Sequence, residues 1–209
     1  MNIDELSAIL QVTLSKLEES AEELRSLDAA IGDGDLGITV QSGAHAVGIA
    51  LSKLDSSVTL SALLRSSATE FASANPSTFS ALIAAGLLSA AKEVEGTGPI
   101  GREESLLILE SLTNTIVARG KTLLGDKTIV DALHPTIAIL KHSTLSPSET
   151  ISLMITSVKD SIETSKDWIS KKGRAAWVGE RTIGERDGGQ TAYLRFLEAL
   201  YFAIQEKSK

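Results

Sequence analysis

Apolar residues return every three or four positions through most of the chain, which is the spacing of amphipathic helices. The first stripe is Ile3, Leu6, Ile9, Leu10, Leu14, Leu17, Ala21 and Leu24, and it predicts a helix over residues 3–24. A second helix starts near Gly37 or Thr39 and runs to about residue 54 through Val40, Ala44, Val47 and Leu51. Together they form an αα-hairpin with an aspartate- and glycine-rich turn. A third helix spans about 59–74 and stops at Asn75-Pro-Ser-Thr78, because proline disfavours helix in the residue before it. Ser77 or Thr78 caps a fourth helix reaching about residue 94, whose small face (Ser80, Ala84, Ala85, Ser89) permits close packing. After a break at 95–101, further helices are expected at about 103–119, 128–142, 148–170 and 190–205. Pro135 is then a kink or an early-turn proline.

Eight helices and no convincing strand make an all-α fold: a single domain over residues 1–209, built as an up-and-down antiparallel bundle or barrel. In that topology the loops after the first, third, fifth and seventh helices fall at one end. The aspartate turn, Asn75-Pro-Ser-Thr78, Gly125-Asp-Lys127 and the loop 171–189 therefore converge. Composition agrees, with aromatics at 4% and only four prolines, a helix-compatible mix. A formal charge of −7 argues against nucleic acid or an anionic membrane as the main partner. No cysteine is present, so neither a disulfide framework nor thiolate chemistry is available. The apolar run 81–91 is too short to span a bilayer. The acidic opening Met1-Asn-Ile-Asp-Glu-Leu6 differs from the basic start of a signal peptide. A soluble, cytoplasmic protein is expected.

Chemistry concentrates in two loops. Asp28-Ala-Ala-Ile-Gly-Asp33-Gly-Asp35-Leu-Gly37 sets three carboxylates within eight residues, where they repel unless water, a proton or a cation separates them. Mg²⁺ takes oxygen ligands and is commonly held by a few carboxylates plus substrate phosphates. Asp28, Asp33 and Asp35 are thus candidate metal ligands for one ion or two, the alternative being a solvated turn. An EF-hand is excluded by the ligand spacing and the missing closing glutamate. The second loop, 171–189, carries Lys171, Lys172, Arg174, Arg181 and Arg186 and ends in Gly188-Gly189. Arginine forks suit phosphate, and the glycines leave amides open where a helix begins. The alternative is a disordered basic loop, against which Trp177, Val178 and Ile183 argue. Gly96-Thr-Gly-Pro-Ile-Gly101 matches the dinucleotide glycine pattern but follows a helix, so it is set aside. His45, His134 and His142 are scattered, with no serine–histidine–acid arrangement, and both tryptophans are expected to pack. Carboxylates for metal, arginine and glycine for phosphate, and no built-in nucleophile point to nucleotide binding and phosphoryl transfer.

Three motifs in order resemble the L subunit, or nucleotide-binding domain, of dihydroxyacetone kinases (DhaL): Leu27-Asp-Ala-Ala-Ile-Gly-Asp-Gly-Asp-Leu-Gly37; Gly125-Asp-Lys-Thr-Ile-Val-Asp-Ala132 with Pro135; and Gly173-Arg-Ala-Ala-Trp-Val-Gly-Glu-Arg-Thr-Ile-Gly184 with Asp187-Gly-Gly189. The resemblance implies an eight-helix barrel that binds ADP or ATP at one end through two Mg²⁺ ions. Asp28, Asp33 and Asp35 would hold the metals. Leu36, Gly37, Ile38, Thr39, Ser77, Thr78, Gly120, Ile129, Arg174, Asp187, Gly188 and Gly189 would surround the nucleotide. It also implies a separate K-type subunit that carries the ketose through a histidine absent from this chain. In phosphotransferase-system members an M-type subunit rephosphorylates bound ADP; in others free ATP is the donor. Three positions depart from the family: Leu36 replaces a usual histidine, Asn75-Pro-Ser-Thr78 replaces Gly-Gly-Ala-Ser, and Asp187-Gly-Gly replaces Asp-Pro-Gly. The expected function is a kinase subunit acting on dihydroxyacetone or a larger ketose such as erythrulose. The alternative is a non-catalytic, nucleotide-loaded regulator of a partner protein, and a third reading is a plain helical interaction domain.

Overall fold

A computed structural model describes residues 1–55, 57–94 and 99–207. Nine α-helices and one 3₁₀ segment make up the regular structure of the described residues. The helices are α1 (Ile3–Glu18), α2 (Ala21–Ile31), α3 (Leu36–Leu51), α4 (Leu60–Ala74), α5 (Thr78–Glu93), α6 (Arg102–Gly120), α7 (Ile129–His142), α8 (Pro147–Ser165) and α9 (Gly188–Lys207). The 3₁₀ segment is Arg174–Thr182. The glycine pattern 96–101 lies largely outside the described residues.

The helices α1 and α2 both pack on α3, each helix from α3 onward packs on the next in sequence, and α9 returns to pack on α1 and α2, which closes the ring. The result is the expected all-α, eight-stave antiparallel barrel, with the first stave broken in two. No glycine or proline marks that break. Ser20 instead turns its hydroxyl onto the Leu17 carbonyl at 2.6 Å, a local bond that competes with helix continuation. The chain then resumes as α2 and carries Asp28 into its last turn.

Side chains fill the barrel. One apolar cluster joins α6 to α9 around Leu109, Ile116, Leu133, Val158 and Leu197. A second joins α1–α4 and α9 around Leu14, Leu24, Leu36, Val47 and Leu63. A third plugs the opposite end with Leu60, Leu64, Val94 and Ile100. Pro135 sits inside α7 and cannot donate to the Asp131 carbonyl four residues back. The Ser161 hydroxyl from α8 takes up that carbonyl at 2.8 Å. No helix among the described residues is long and apolar enough to cross a membrane.

The up-and-down course brings the N-termini of α3, α5, α7 and α9 to one end. Ser77 caps α5, accepting from the Ser80 amide, and Thr128 caps α7, accepting from the Val130 amide. Asp187 plays the same part for α9, its carboxylate accepting from the Gln190 amide at 2.8 Å. Four helix ends with unpaired amides and positive dipole ends therefore face one region.

Candidate functional site

That end of the barrel carries the acidic turn. Asp28 projects from the last turn of α2, while Asp33 and Asp35 lie on the bend into α3. One carboxylate oxygen from each comes within 4.8 Å of the others. Asp28 also accepts the Leu36 amide at 3.3 Å, which fixes the start of α3 against α2. Burial and the neighbouring Asp28 charge push the Asp35 carboxyl above its ordinary pKa. The group is thus short of positive charge, as a cation-binding carboxylate is before its ion arrives.

Arg174 supplies one positive charge. Its guanidinium contacts Asp33 directly and lies 3.8 Å from Asp35. The arginine stands at the start of the 3₁₀ segment, which packs on α2. Gly173 and Gly179 adopt φ of 63° and 56° there, a left-handed region that glycine enters without a Cβ penalty. The three carboxylates form a hard oxygen donor set already neutralised in part by a cation, so the residues fit Mg²⁺.

The other predicted residues fall into contact groups along the same rim. Leu36 is buried, and a Cβ placed on Gly188 would meet its Cδ2 at 2.6 Å. A Cβ on Gly189 would lie 3.3 Å from Ile129 Cβ. The start of α9 is therefore wedged between the starts of α3 and α7. Thr39 is fully buried; its hydroxyl accepts from Asn75 Nδ2 at 2.9 Å and lies 3.5 Å from the Ser77 hydroxyl. Gly37 is buried against α2, where a Cβ would meet the Ala21 carbonyl at 2.1 Å, so its side faces packing. Ile38 and Thr78 are exposed at the first turns of α3 and α5. Gly120 ends α6 and contacts neither the aspartates nor Arg174; beyond it, Thr122 meets Thr128 at 3.2 Å.

Asp187 is drawn well away from an ordinary carboxylate, to a pKa of about 6. Burial is the main cause and the Asp131 charge adds to it, while Lys127 and the amides of Gln190 and Gly189 oppose.

Sequence reasoning missed three residues that organise this rim. Asp131 accepts the Gly125 amide at 2.6 Å and the Thr128 amide at 2.8 Å. Asn75 bridges to Thr39, and Lys127 is buried. The available signal was the Thr128-Ile-Val-Asp131 capping box. Trp177 corrects an expectation: it is 84% exposed and does not pack, because the 3₁₀ turn directs it to solvent. Trp168 is half-buried, and the three histidines are all on the surface.

The DAK2 domain family matches residues 30–202. The chain is 29% identical over 184 residues to the ADP-binding subunit DhaL of PEP-dependent dihydroxyacetone kinase 2 from Listeria innocua, covering 87% of this chain and 85% of that protein. It is 25% identical to the ADP-binding subunit DhaL of the Escherichia coli PEP-dependent dihydroxyacetone kinase, covering 89% and 90%. Its fold matches the crystal structure of the C. freundii dihydroxyacetone kinase in complex with AMP-PNP and Mg²⁺ at a TM-score of 0.73 and 21% identity. That match covers 94% of this chain and 33% of the C. freundii chain, so this chain spans about a third of that protein's length.

Proposed function

The chain belongs to the DAK2 domain family, and from that premise we propose that it is the ADP- or ATP-binding subunit of a dihydroxyacetone-type kinase. In this reading residues 1–209 act as one cytoplasmic unit that binds nucleotide. A phosphoryl group then passes to a small ketose held by a separate K-type subunit. The observation that carries the reading is the Asp28–Asp33–Asp35 cluster, with Arg174 against it, at the end where four helix N-termini meet.

Asp28, Asp33 and Asp35 would hold Mg²⁺, with two ions the number that the family resemblance implies. Bound there, the metal supplies charge neutralisation for the polyphosphate. The protein's own residues do the rest. Arg174 sits on a solvent-facing turn, 52% exposed, and its fork can donate to phosphate oxygens. First-turn amides of Gly37 and Ile38 in α3, Thr78 in α5 and Gly188 in α9 offer donors at positive dipole ends, with Leu36, Thr39, Ser77, Asp187 and Gly189 lining the surround beside them. Gly120 and Ile129 complete the surround. Phosphoryl transfer demands alignment and charge stabilisation more than covalent chemistry. The ketose hydroxyl is the nucleophile, so the absence of one from this chain is consistent.

A kinase of this design must dock on the subunit that holds its ketose. Trp177, Leu123 and Leu124 are 84%, 68% and 54% exposed on two loops at this end. Apolar side chains left open beside a site mark an interaction surface. The K-type subunit is the occupant proposed, with an M-type subunit as phosphate donor if phosphoenolpyruvate drives the reaction.

Reconstitution tests the proposal. The chain mixed with a K-type subunit, Mg²⁺ and ATP, or with the phosphoenolpyruvate-dependent phosphotransferase proteins, should phosphorylate dihydroxyacetone or erythrulose. Tight Mg-ADP binding without transfer in either mixture would turn the assignment to the regulator.

A further inference from the structure

Between Ser165 and Gly188 the chain leaves the barrel, forms the 3₁₀ turns and returns. Its two limbs meet at a narrow neck: the Gly184 amide donates to the Lys166 carbonyl at 2.9 Å, and the Ser170 amide donates to the Thr182 hydroxyl at 3.0 Å. The inner part, closed at Ser170 and Thr182, is an Ω-loop. Arg174 and Trp177 lie on the arm beyond this neck.

Lys127 enters the neck from a different loop. Its Nζ donates to the carbonyls of Lys166 at 3.0 Å, Trp168 at 3.0 Å and Thr182 at 2.6 Å. An ammonium has three protons to give, and here all three go to main-chain oxygens on both limbs. The residue is 1% exposed, and its backbone holds φ of 59°, which non-glycine residues adopt infrequently. Burial pushes the ammonium below its ordinary pKa, opposed by Asp187, Glu185 and Asp167. Secondary ties run alongside: the Lys171 amide donates to the Asp126 carbonyl at 3.0 Å, and Lys171 Nζ to the Gly125 carbonyl at 3.0 Å.

We propose that Lys127 is a positioning residue: it staples both limbs of the 166–184 loop so that Arg174 is held over Asp33 and Asp35. The lysine makes no contact with the aspartates, so it acts through Arg174. The staple stands on geometry alone; its consequence for ligand rests on the nucleotide reading above.

The arm carries trypsin sites at Lys171, Lys172, Arg174 and Arg181, which gives a readout free of nucleotide. Lys127→Met keeps the stem and removes the donors. In the ligand-free protein it should speed cleavage at these sites on the order of tenfold while cleavage elsewhere is unchanged, since proteolysis follows local opening. Mg-ADP affinity should fall about tenfold in Lys127→Met. The double variant with Arg174→Ala should bind no more weakly than Arg174→Ala alone, as coupled residues do. Unchanged arm cleavage, or losses that multiply in the double variant, would overturn the proposal. If Lys127→Met does not fold, reductive methylation of the wild-type protein decides. Lys127 should stay unmodified while Lys171 and Lys172 react, and labelling at their rate refutes the staple. Failure of the wild type to bind Mg-ADP defeats the nucleotide reading, and arm cleavage and methylation still decide the staple.

Discussion

Two loops of the rim look alike as sequence and behave as opposites. Gly32-Asp-Gly-Asp35 and Gly125-Asp-Lys127 are both short, glycine-bearing and charged. In the second, every charge is taken up internally. Asp126 accepts the Leu123 amide at 2.9 Å, Lys127 serves three carbonyls, and the nearby Asp131 closes the turn by accepting two amides. In the first, among the described residues, the carboxylates of Asp33 and Asp35 accept no backbone hydrogen bond and pair only with Arg174, and their side chains are 40% and 43% exposed. Buried charge satisfied by the main chain holds a fold together. Charge gathered and left open is available to a ligand. One loop is scaffold and the other is the candidate site.

The sharpest way to break this contrast is to remove Asp131, which closes the second loop from α7, and Asp33 from the first. Asp131→Ala leaves two part-buried amides without their acceptor and should cost about 2 kcal/mol in urea unfolding. Asp33→Ala removes mutual repulsion and should leave stability within about 0.5 kcal/mol of wild type. Equal losses in the two variants would erase the distinction.

The wedge between α3 and α9 comes next. Gly188→Ala drives a methyl into Leu36 and should destabilise by about 2 kcal/mol. Combining it with Leu36→Ala should recover at least about 1 kcal/mol relative to the sum of the single losses, measured in a double-mutant cycle. Simple additivity would mean that the two residues do not share the space. Where the family resemblance leads one to expect a histidine and a proline, this chain has a leucine and a glycine that fit one another.

The pH dependence follows from Asp187. Its folded pKa, about 6, stands above the ordinary 3.8, so the folded state holds the proton more tightly than the unfolded chain. Its contribution is fully present below pH 4 and is lost as pH rises through 6. Asp187→Asn keeps an acceptor for the Gln190 amide and cannot ionise. The variant should be more stable than wild type by about 2 kcal/mol at pH 8, with the difference gone near pH 4. Parallel pH profiles in thermal melts would contradict this. The smallest effect belongs to Trp177→Ala, where stability should change by less than about 0.5 kcal/mol because the ring lies in solvent. Binding to a K-type subunit, read by surface plasmon resonance, should weaken in the same variant.

Much of this architecture was readable from periodicity. The cap at Ser77 and the proline breaks set most helix ends within two residues, and short connections forced the up-and-down ring. The break at Ser20 carried no such sign, since it turns on one hydroxyl and a carbonyl three residues back. The acidic turn was legible as a candidate site because close carboxylates are costly without a cation. Lys127 was not legible: its role depends on three carbonyls between 39 and 55 residues away, which only the closed barrel brings together. Trp177 was misread for the converse reason, as aromatic character alone does not say which way a 3₁₀ turn points. Gly37 showed as a glycine near phosphate, whereas its missing Cβ is required by the crossing of α3 over α2.

The central claim is that the open carboxylates of the acidic turn bind a nucleotide's phosphates through magnesium. Titration calorimetry of ADP into the full chain, with Mg²⁺ and with EDTA, tests it directly. Binding should appear only with Mg²⁺ and should weaken at least on the order of 100-fold in Asp33→Ala. Affinity that is the same with and without Mg²⁺, or unaltered in Asp33→Ala, would contradict the account.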